Sequence, residues 1–140
     1  MFKRIVVALD GSVSSWHALD KALELAKDCR GTSKLFGVSV SPVLEGVGFN
    51  RDAEKLEEYF ATILRQAVSK AKRKKLKLEP SLLHGFPPEQ IVEFAKKQKC
   101  DLVAMGNWGA GFRGDISRLI LGSVSAEVIK RTGTPVLVVK

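Results

Sequence analysis

Five short apolar runs alternate with four stretches of helical periodicity along this 140-residue chain, and that alternation limits the fold more than any other feature. Ile5-Val-Val-Ala-Leu9, Leu35-Phe-Gly-Val-Ser-Val40, Leu78 to Leu83, Leu102-Val-Ala-Met105 and Val136-Leu-Val-Val139 are the candidate strands. The continuous apolar runs among them suit strands covered on both faces. Between the first two, Ala18, Leu19, Ala22, Leu23, Leu25 and Ala26 recur at helical spacing, with Asp10-Gly11-Ser12 as a turn and N-cap signal and Gly31 as a stop. The second helix carries the clearest stripe: Leu56, Tyr59, Phe60, Ile63, Leu64, Ala67 and Val68. Pro87-Pro88-Glu89 opens a third helix with Ile91, Val92 and Ala95 facing inward. A fourth runs through residues 124–131 and stops at Thr132-Gly133-Thr134-Pro135. Pro80 inside the third run predicts an edge strand. Strands that alternate with helices pair in parallel through right-handed crossovers. The chain is therefore expected to form one domain over residues 1–140, a three-layer doubly wound α/β sandwich. Such sheets bind ligands beyond the carboxyl ends of their strands, where Asp10, the residues near Ser39 and a glycine-rich loop converge.

That loop runs from Gly106 to Ser123 and holds five of the chain's twelve glycines. Glycines between a strand and a helix let backbone N–H groups converge on an anion, so the segment reads as a phosphate cradle. The P-loop pattern is absent, since no glycine precedes Lys-Ser or Lys-Thr. Gly109-Ala-Gly111-Phe-Arg-Gly114 does satisfy the dinucleotide pattern G-x-G-x-x-G. Its context fails: the next strand ends in Val139-Lys140, with no acid to hold a ribose. Gly122 and Ser123 precede the last helix, where unpaired N–H groups and the dipole favour an anion and the Ser123 hydroxyl can donate to a phosphate. Plain N-capping would look the same in sequence, for Ser123 and for Asp10 alike.

The ordered motifs along the chain together are specific. Asp10-Gly-Ser-Val-Ser-Ser15-Trp-His-Ala18-Leu19, Gly85-Phe-Pro87, Asp101-Leu-Val-Ala-Met105-Gly106 and Gly122-Ser123-Val124 through Thr134-Pro135-Val136 strongly resemble the universal stress protein family over residues 3–140. The resemblance implies a five-stranded parallel sheet of order 3-2-1-4-5, the adenine nucleotide alpha hydrolase-like fold. In one branch of the family it implies bound ATP, marked by G-x-x-G, nine residues, then G-[S/T]. Here Gly106-Asn-Trp-Gly109 and Gly122-Ser123 supply both ends, with twelve residues between Gly109 and Gly122, three more than the pattern. On this resemblance Gly106, Gly109, Gly122 and Ser123 are the phosphate contacts. Asp10 lies against the base and ribose, and the backbone around Ser39 meets the adenine edge. From size alone Met105 and Val124 can line the base or ribose pocket, though core packing explains both equally. A guanidinium at Arg113 or Arg118 can reach a terminal phosphate or lie exposed in the loop. Gly111 and Gly114 become hinges of the longer loop, and Arg118, Asp115 and Trp108 are its other side chains of interest.

The expected ligand is ATP with Mg²⁺ or Mn²⁺, in a stress-response regulator or sensor that dimerises through the apolar edge Val136–Val139. No general base or Walker acid is identifiable, so any hydrolysis is expected to be slow. A non-nucleotide interaction module of the same fold is the alternative. The net charge of +8 draws attention to nucleic acid, and residues 70–99 hold nine Lys or Arg against Glu79, Glu89 and Glu93. The run from Lys70 to Lys77 reads as a solvated helix end whose cations complement the helix dipole, without interleaved aromatics or a recognition motif, so a nucleic-acid partner is not expected. Electrostatic attachment to nucleic acid or anionic surfaces through this run is the further alternative. Cys29 and Cys100 lack metal or redox spacing, and His17 and His84 lack a catalytic pattern. The amino-terminal apolar run is too short for a signal or membrane segment, so a cytoplasmic protein with no membrane partner is expected.

Overall fold

The computed structural model describes residues 1–42, 51–107 and 122–140, with residues 51 and 52 as backbone alone. Its elements run β1 (Arg4–Ala8), α1 (Val13–Asp28), β2 (Lys34–Ser41), α2 (Arg51–Arg73), β3 (Leu78–His84), α3 (Pro87–Lys97), β4 (Leu102–Gly106), α4 (Ser123–Arg131) and β5 (Val136–Val139). All four strand pairings are parallel, and the sheet order is β3-β2-β1-β4-β5. β1 is central, so the order reverses between β1 and β4 and opens a crevice at their carboxyl ends.

Each sheet face packs on two helices. Ile5, Val7 and Leu35 join Ala22, Leu23, Ile63 and Ala67 beneath α1 and α2. Val6, Phe36, Val38 and Val103 join Ile91, Ala95 and Val128 beneath α3 and α4. This two-sided burial is why the inner strands read as unbroken apolar runs rather than alternating ones. Pro80 falls on the edge strand β3, opposite Gly37. A Cβ on Gly37 would lie 2.7 Å from Leu78 Cδ2, so the missing side chain lets β3 close onto β2. The start of β1 is tied by Asp101, whose carboxylate accepts from the Lys3 and Arg4 backbone N–H groups at 2.8 and 2.9 Å.

The first three helices end in the same way. The Gly31 and Arg30 N–H groups return to Ala26 and Lys27, those of Leu76 and Lys75 to Ala71 and Lys72, and those of Cys100 and Lys99 to Ala95 and Lys96. These are Schellman caps, whose left-handed residue is usually glycine. Here that residue is Arg30, Lys75 or Lys99, at φ of 57°, 60° and 52°.

Candidate functional site

A cavity of about 390 Å³ opens at the carboxyl ends of β1, β2 and β4. Its sheet side is Ala8, Leu9 and Asp10 leaving β1, Val38 and Val40 of β2, and Met105 and Gly106 of β4. Leu56, Tyr59 and Phe60 of α2 form one wall, Ile91 of α3 another, and Gly122 through Ser125 close the far side. The surface is mostly apolar. Among the described residues its single charged side chain is Asp10.

Asp10 sits in a turn built from short-range chemistry. Its Oδ1 accepts from the Ser12 N–H at 2.9 Å, and Ser12 Oγ in turn caps α1 by accepting from the Ser15 N–H at 3.2 Å. Ser12 is therefore the cap, and Asp10 is left at the cavity rim. The Tyr59 hydroxyl donates to the Asp10 carbonyl at 3.0 Å, pinning the turn from α2. Gly11 makes this approach feasible: its φ is +88°, and a Cβ there would meet the Tyr59 hydroxyl and lie 2.9 Å from Ile63 Cδ1.

Backbone geometry shapes the opposite rim. A Cβ on Gly106 would lie 2.7 Å from both the Ser14 carbonyl carbon and the Ser15 nitrogen, so this glycine lets α1 begin directly against β4. Ser125 Oγ donates to the Gly106 carbonyl at 2.7 Å. The Asn107 N–H donates to the Val139 carbonyl at 2.9 Å, and the Gly122 N–H donates to the Asn107 carbonyl at 2.8 Å. Gly122 is the extended N-cap of α4, and no side-chain hydrogen bond caps this helix among the described residues. The first-turn N–H groups of α4 thus begin at the cavity wall, a positive dipole end suited to an anion.

Of the residues singled out in the sequence, Asp10, Met105, Gly106, Gly122, Ser123 and Val124 all line this cavity. Ser39 does not: its hydroxyl donates to the Leu9 carbonyl at 2.7 Å on the α1 side, and its neighbours Val38 and Val40 face the cavity instead. Strand alternation explains the difference, since successive side chains point to opposite faces. Gly109 and Arg113 lie outside the described residues, as do Trp108, Gly111, Gly114, Asp115 and Arg118. Leu56, Tyr59 and Phe60 are legible in the sequence only as a core stripe, in which the polar hydroxyl of Tyr59 is the one hint of an open border.

The histidines stand apart from the cavity. His17 Nδ1 is 2.8 Å from the Lys140 carbonyl, and His84 Nε2 is 2.5 Å from Glu57 Oε1 in an exposed pair. No cluster of three or more His, Cys, Asp or Glu residues suited to a metal occurs among the described residues, and none of their helices is long and apolar enough to cross a membrane.

Comparison with known proteins gives a consistent picture. The model of the universal stress protein family matches residues 1–140. A universal stress protein of Methanocaldococcus jannaschii is 34% identical over 146 residues, covering 100% of this chain and 83% of its own length. The crystal structure of a universal stress protein in complex with cAMP superposes with a TM-score of 0.76 at 31% identity, covering 99% of this chain and 97% of that one. A universal stress protein structure from Archaeoglobus fulgidus superposes with a TM-score of 0.80 at 29% identity, with full coverage of both chains.

Proposed function

The chain belongs to the universal stress protein family, and from that premise we propose that its cavity binds an adenine nucleotide: ATP, bridged by Mg²⁺ or Mn²⁺. The observation that carries the reading is the pairing of an apolar pocket with a helix N-terminus, both at the sheet's switch point. An apolar slot between Val38, Val40, Met105 and Ile91 accepts a flat base, and the start of α4 accepts phosphate. The relative solved with cAMP supports an adenine nucleotide as the ligand class.

The residues then take distinct roles. Asp10 receives ribose hydroxyls, and the backbone flanking Ser39 meets the base edge. Gly106, Gly122 and Ser123 contact phosphate with Gly109, while Arg113 reaches the terminal phosphate. Among the described lining residues Asp10 is the one charged group, so Arg113 would be the protein's own cation at the phosphates. Mg²⁺ or Mn²⁺ would add positive charge there, held by phosphate and carboxylate oxygens. The role proposed for the protein is that of a stress-response regulator or sensor with slow hydrolysis at most. β5 forms one edge of the sheet, and its Val136–Val139 side chains are half-buried. A second copy pairing along that edge makes a homodimer, which we assign to the cytoplasm.

Calorimetric titration of the protein with Mg·ATP, AMP and cAMP tests the reading. Micromolar binding of Mg·ATP is expected, with loss of binding in Val40→Trp, whose indole fills the base slot from a wall position. Neither heat nor a thermal shift with any of the three nucleotides removes the reading and leaves a non-nucleotide interaction module. Preference for cAMP over Mg·ATP moves the protein out of the ATP-binding branch. Native mass spectrometry of the same sample reports the dimer.

A further inference from the structure

We propose that the end of the molecule opposite the cavity is an electrostatic docking surface for the phosphate backbone of a nucleic-acid duplex. The lysine run after α2, read alone, is a solvated helix end. The parallel topology adds to it, because in a β-α-β chain every strand begins and every helix ends on the same side. Lys27 and Arg30 leave α1 there, Lys96, Lys97 and Lys99 leave α3, and Lys130 leaves α4, whereas the Arg131 guanidinium turns back over the Phe86 ring at 5.7 Å. Lys3 and Lys34 join them at the starts of β1 and β2, linked by the Lys34 N–H donating to the Lys3 carbonyl at 2.8 Å. All of these cations are exposed.

Fewer acids oppose them. Glu79 pairs with Lys34 at 3.5 Å, Glu127 with Lys130 at 3.7 Å, and Asp101 is bound by the backbone of Lys3 and Arg4. Asp20, Glu24 and Asp28 share a recess with Lys27, Arg73 and Lys74. Among the described residues of this end, cations therefore outnumber acids.

Complementing helix dipoles does not account for this pattern. Dipole stabilisation acts within the last turn of a helix and gives no reason for lysines at strand starts. Nor does it explain the three Schellman caps. Each places a cation in the left-handed position that glycine fills without strain, and these are all of the non-glycine residues with positive φ among the described ones. Strain retained at three equivalent turns, each time to present a positive charge on one end of the molecule, points to a function of that end.

The chemistry of the end favours a duplex over other polyanions. Of the large exposed apolar side chains, Met1 and Ile129 lie on segments that reach this end, and neither is aromatic. A single strand is held by stacking on aromatic platforms, which the described residues of this end do not offer. A Lys-dominated end of this kind contacts phosphates as point charges and carries no base readout. Binding is therefore independent of sequence and governed by salt. This proposal makes no use of the cavity.

The test measures binding of a fluorescent 30-base-pair DNA duplex by anisotropy at 50 and 200 mM KCl, alongside phosphatidylserine vesicles. With about five phosphate contacts, affinity falls by about 500-fold across that salt range. The double variant Lys75→Gly/Lys99→Gly is expected to fold with a raised melting temperature and to lower the log–log salt slope by about two. Lys55→Gly, on the cavity half of α2, leaves that slope unchanged. Three results overturn the proposal: no duplex binding at 50 mM KCl, an unaltered salt slope in the double variant, or tighter binding to vesicles than to duplex.

Discussion

Replacing Lys75 by glycine should stabilise this protein, although the substitution removes a side chain and adds no contact. Lys75 holds φ of 60° in the turn that ends α2, with the Leu76 N–H at 3.0 Å from the Ala71 carbonyl and the Lys75 N–H at 2.9 Å from that of Lys72. A residue with a Cβ in this conformation costs about 1–2 kcal/mol. Glycine removes that strain and gives back roughly 0.5–1 kcal/mol through its freer unfolded chain. The net gain is about 0.5–1 kcal/mol, or about 2–3 °C in melting temperature for a domain of this size. Arg30→Gly and Lys99→Gly address the same motif in separate turns, so the three gains add, to about 2 kcal/mol and about 6 °C. Lys75→Ala is the control, because it removes the charge and keeps the Cβ. Urea midpoints for the lysine, alanine and glycine forms at equal salt then separate strain from charge repulsion. A glycine form no more stable than the alanine form would refute the reasoning, since the left-handed turn would bear no strain to relieve.

Three other outcomes are expected. Gly106→Ala places a methyl against the backbone of Ser14 and Ser15 and lowers stability by about 1–3 kcal/mol in thermal melts; an unchanged melting temperature would contradict the close packing of α1 on β4. Burial pushes the Asp101 carboxyl up, but the Lys3 and Arg4 N–H bonds outweigh it and hold the pKa below the ordinary carboxylate value. Its contribution is therefore fully present above about pH 3.9 and is lost as pH falls through the depressed folded value. Asp101→Asn should lose about 1 kcal/mol at pH 7 in urea titrations, with the gap to the parent protein closing in acid; a gap constant from pH 7 to pH 2 would count against the assignment. Burial, opposed by Arg4, pushes the Cys100 thiol up to about 11, so maleimide at pH 8 should label the folded protein once, at half-buried Cys29, and twice after denaturation. Mass spectrometry of the labelled protein reads the difference.

The sheet was legible in the sequence because strands covered on both sides leave continuous apolar runs, and Pro80 named an edge. Its order came through the family resemblance, and the hydrogen-bonded pairings agree with it. The site was less legible. An apolar stripe looks the same whether it faces a sheet or an open pocket, so Tyr59 and Leu56 read as core. Asp10 and Ser12 are both good capping residues, and only geometry shows that Ser12 caps α1 while Asp10 folds back on the Ser12 N–H. Ser39 lay in the right strand, but its hydroxyl faces Leu9, and Val38 and Val40 meet the cavity. Charge was least legible of all. A linear count finds the lysines after α2, whereas the convergence of Lys3, Lys34, Arg30 and Lys99 with them depends on parallel pairing.

The two hydrogen bonds of Asn107 bear on how such a site evolves. Through the backbone of one residue, the last residue of β5 holds the exit from β4, and the exit from β4 holds the entry to α4. Both joints are backbone to backbone, so neither depends on the identity of a side chain. Loop closure grows by only about 0.6 kcal/mol per doubling of length, which makes the difference between nine and twelve residues about 0.3 kcal/mol. The span between the joints is therefore nearly neutral to insertion and deletion, while the two rims of the cavity stay in register. Lineages sharing this clasp are free to vary the sequence and length between its joints without rebuilding the scaffold beneath them.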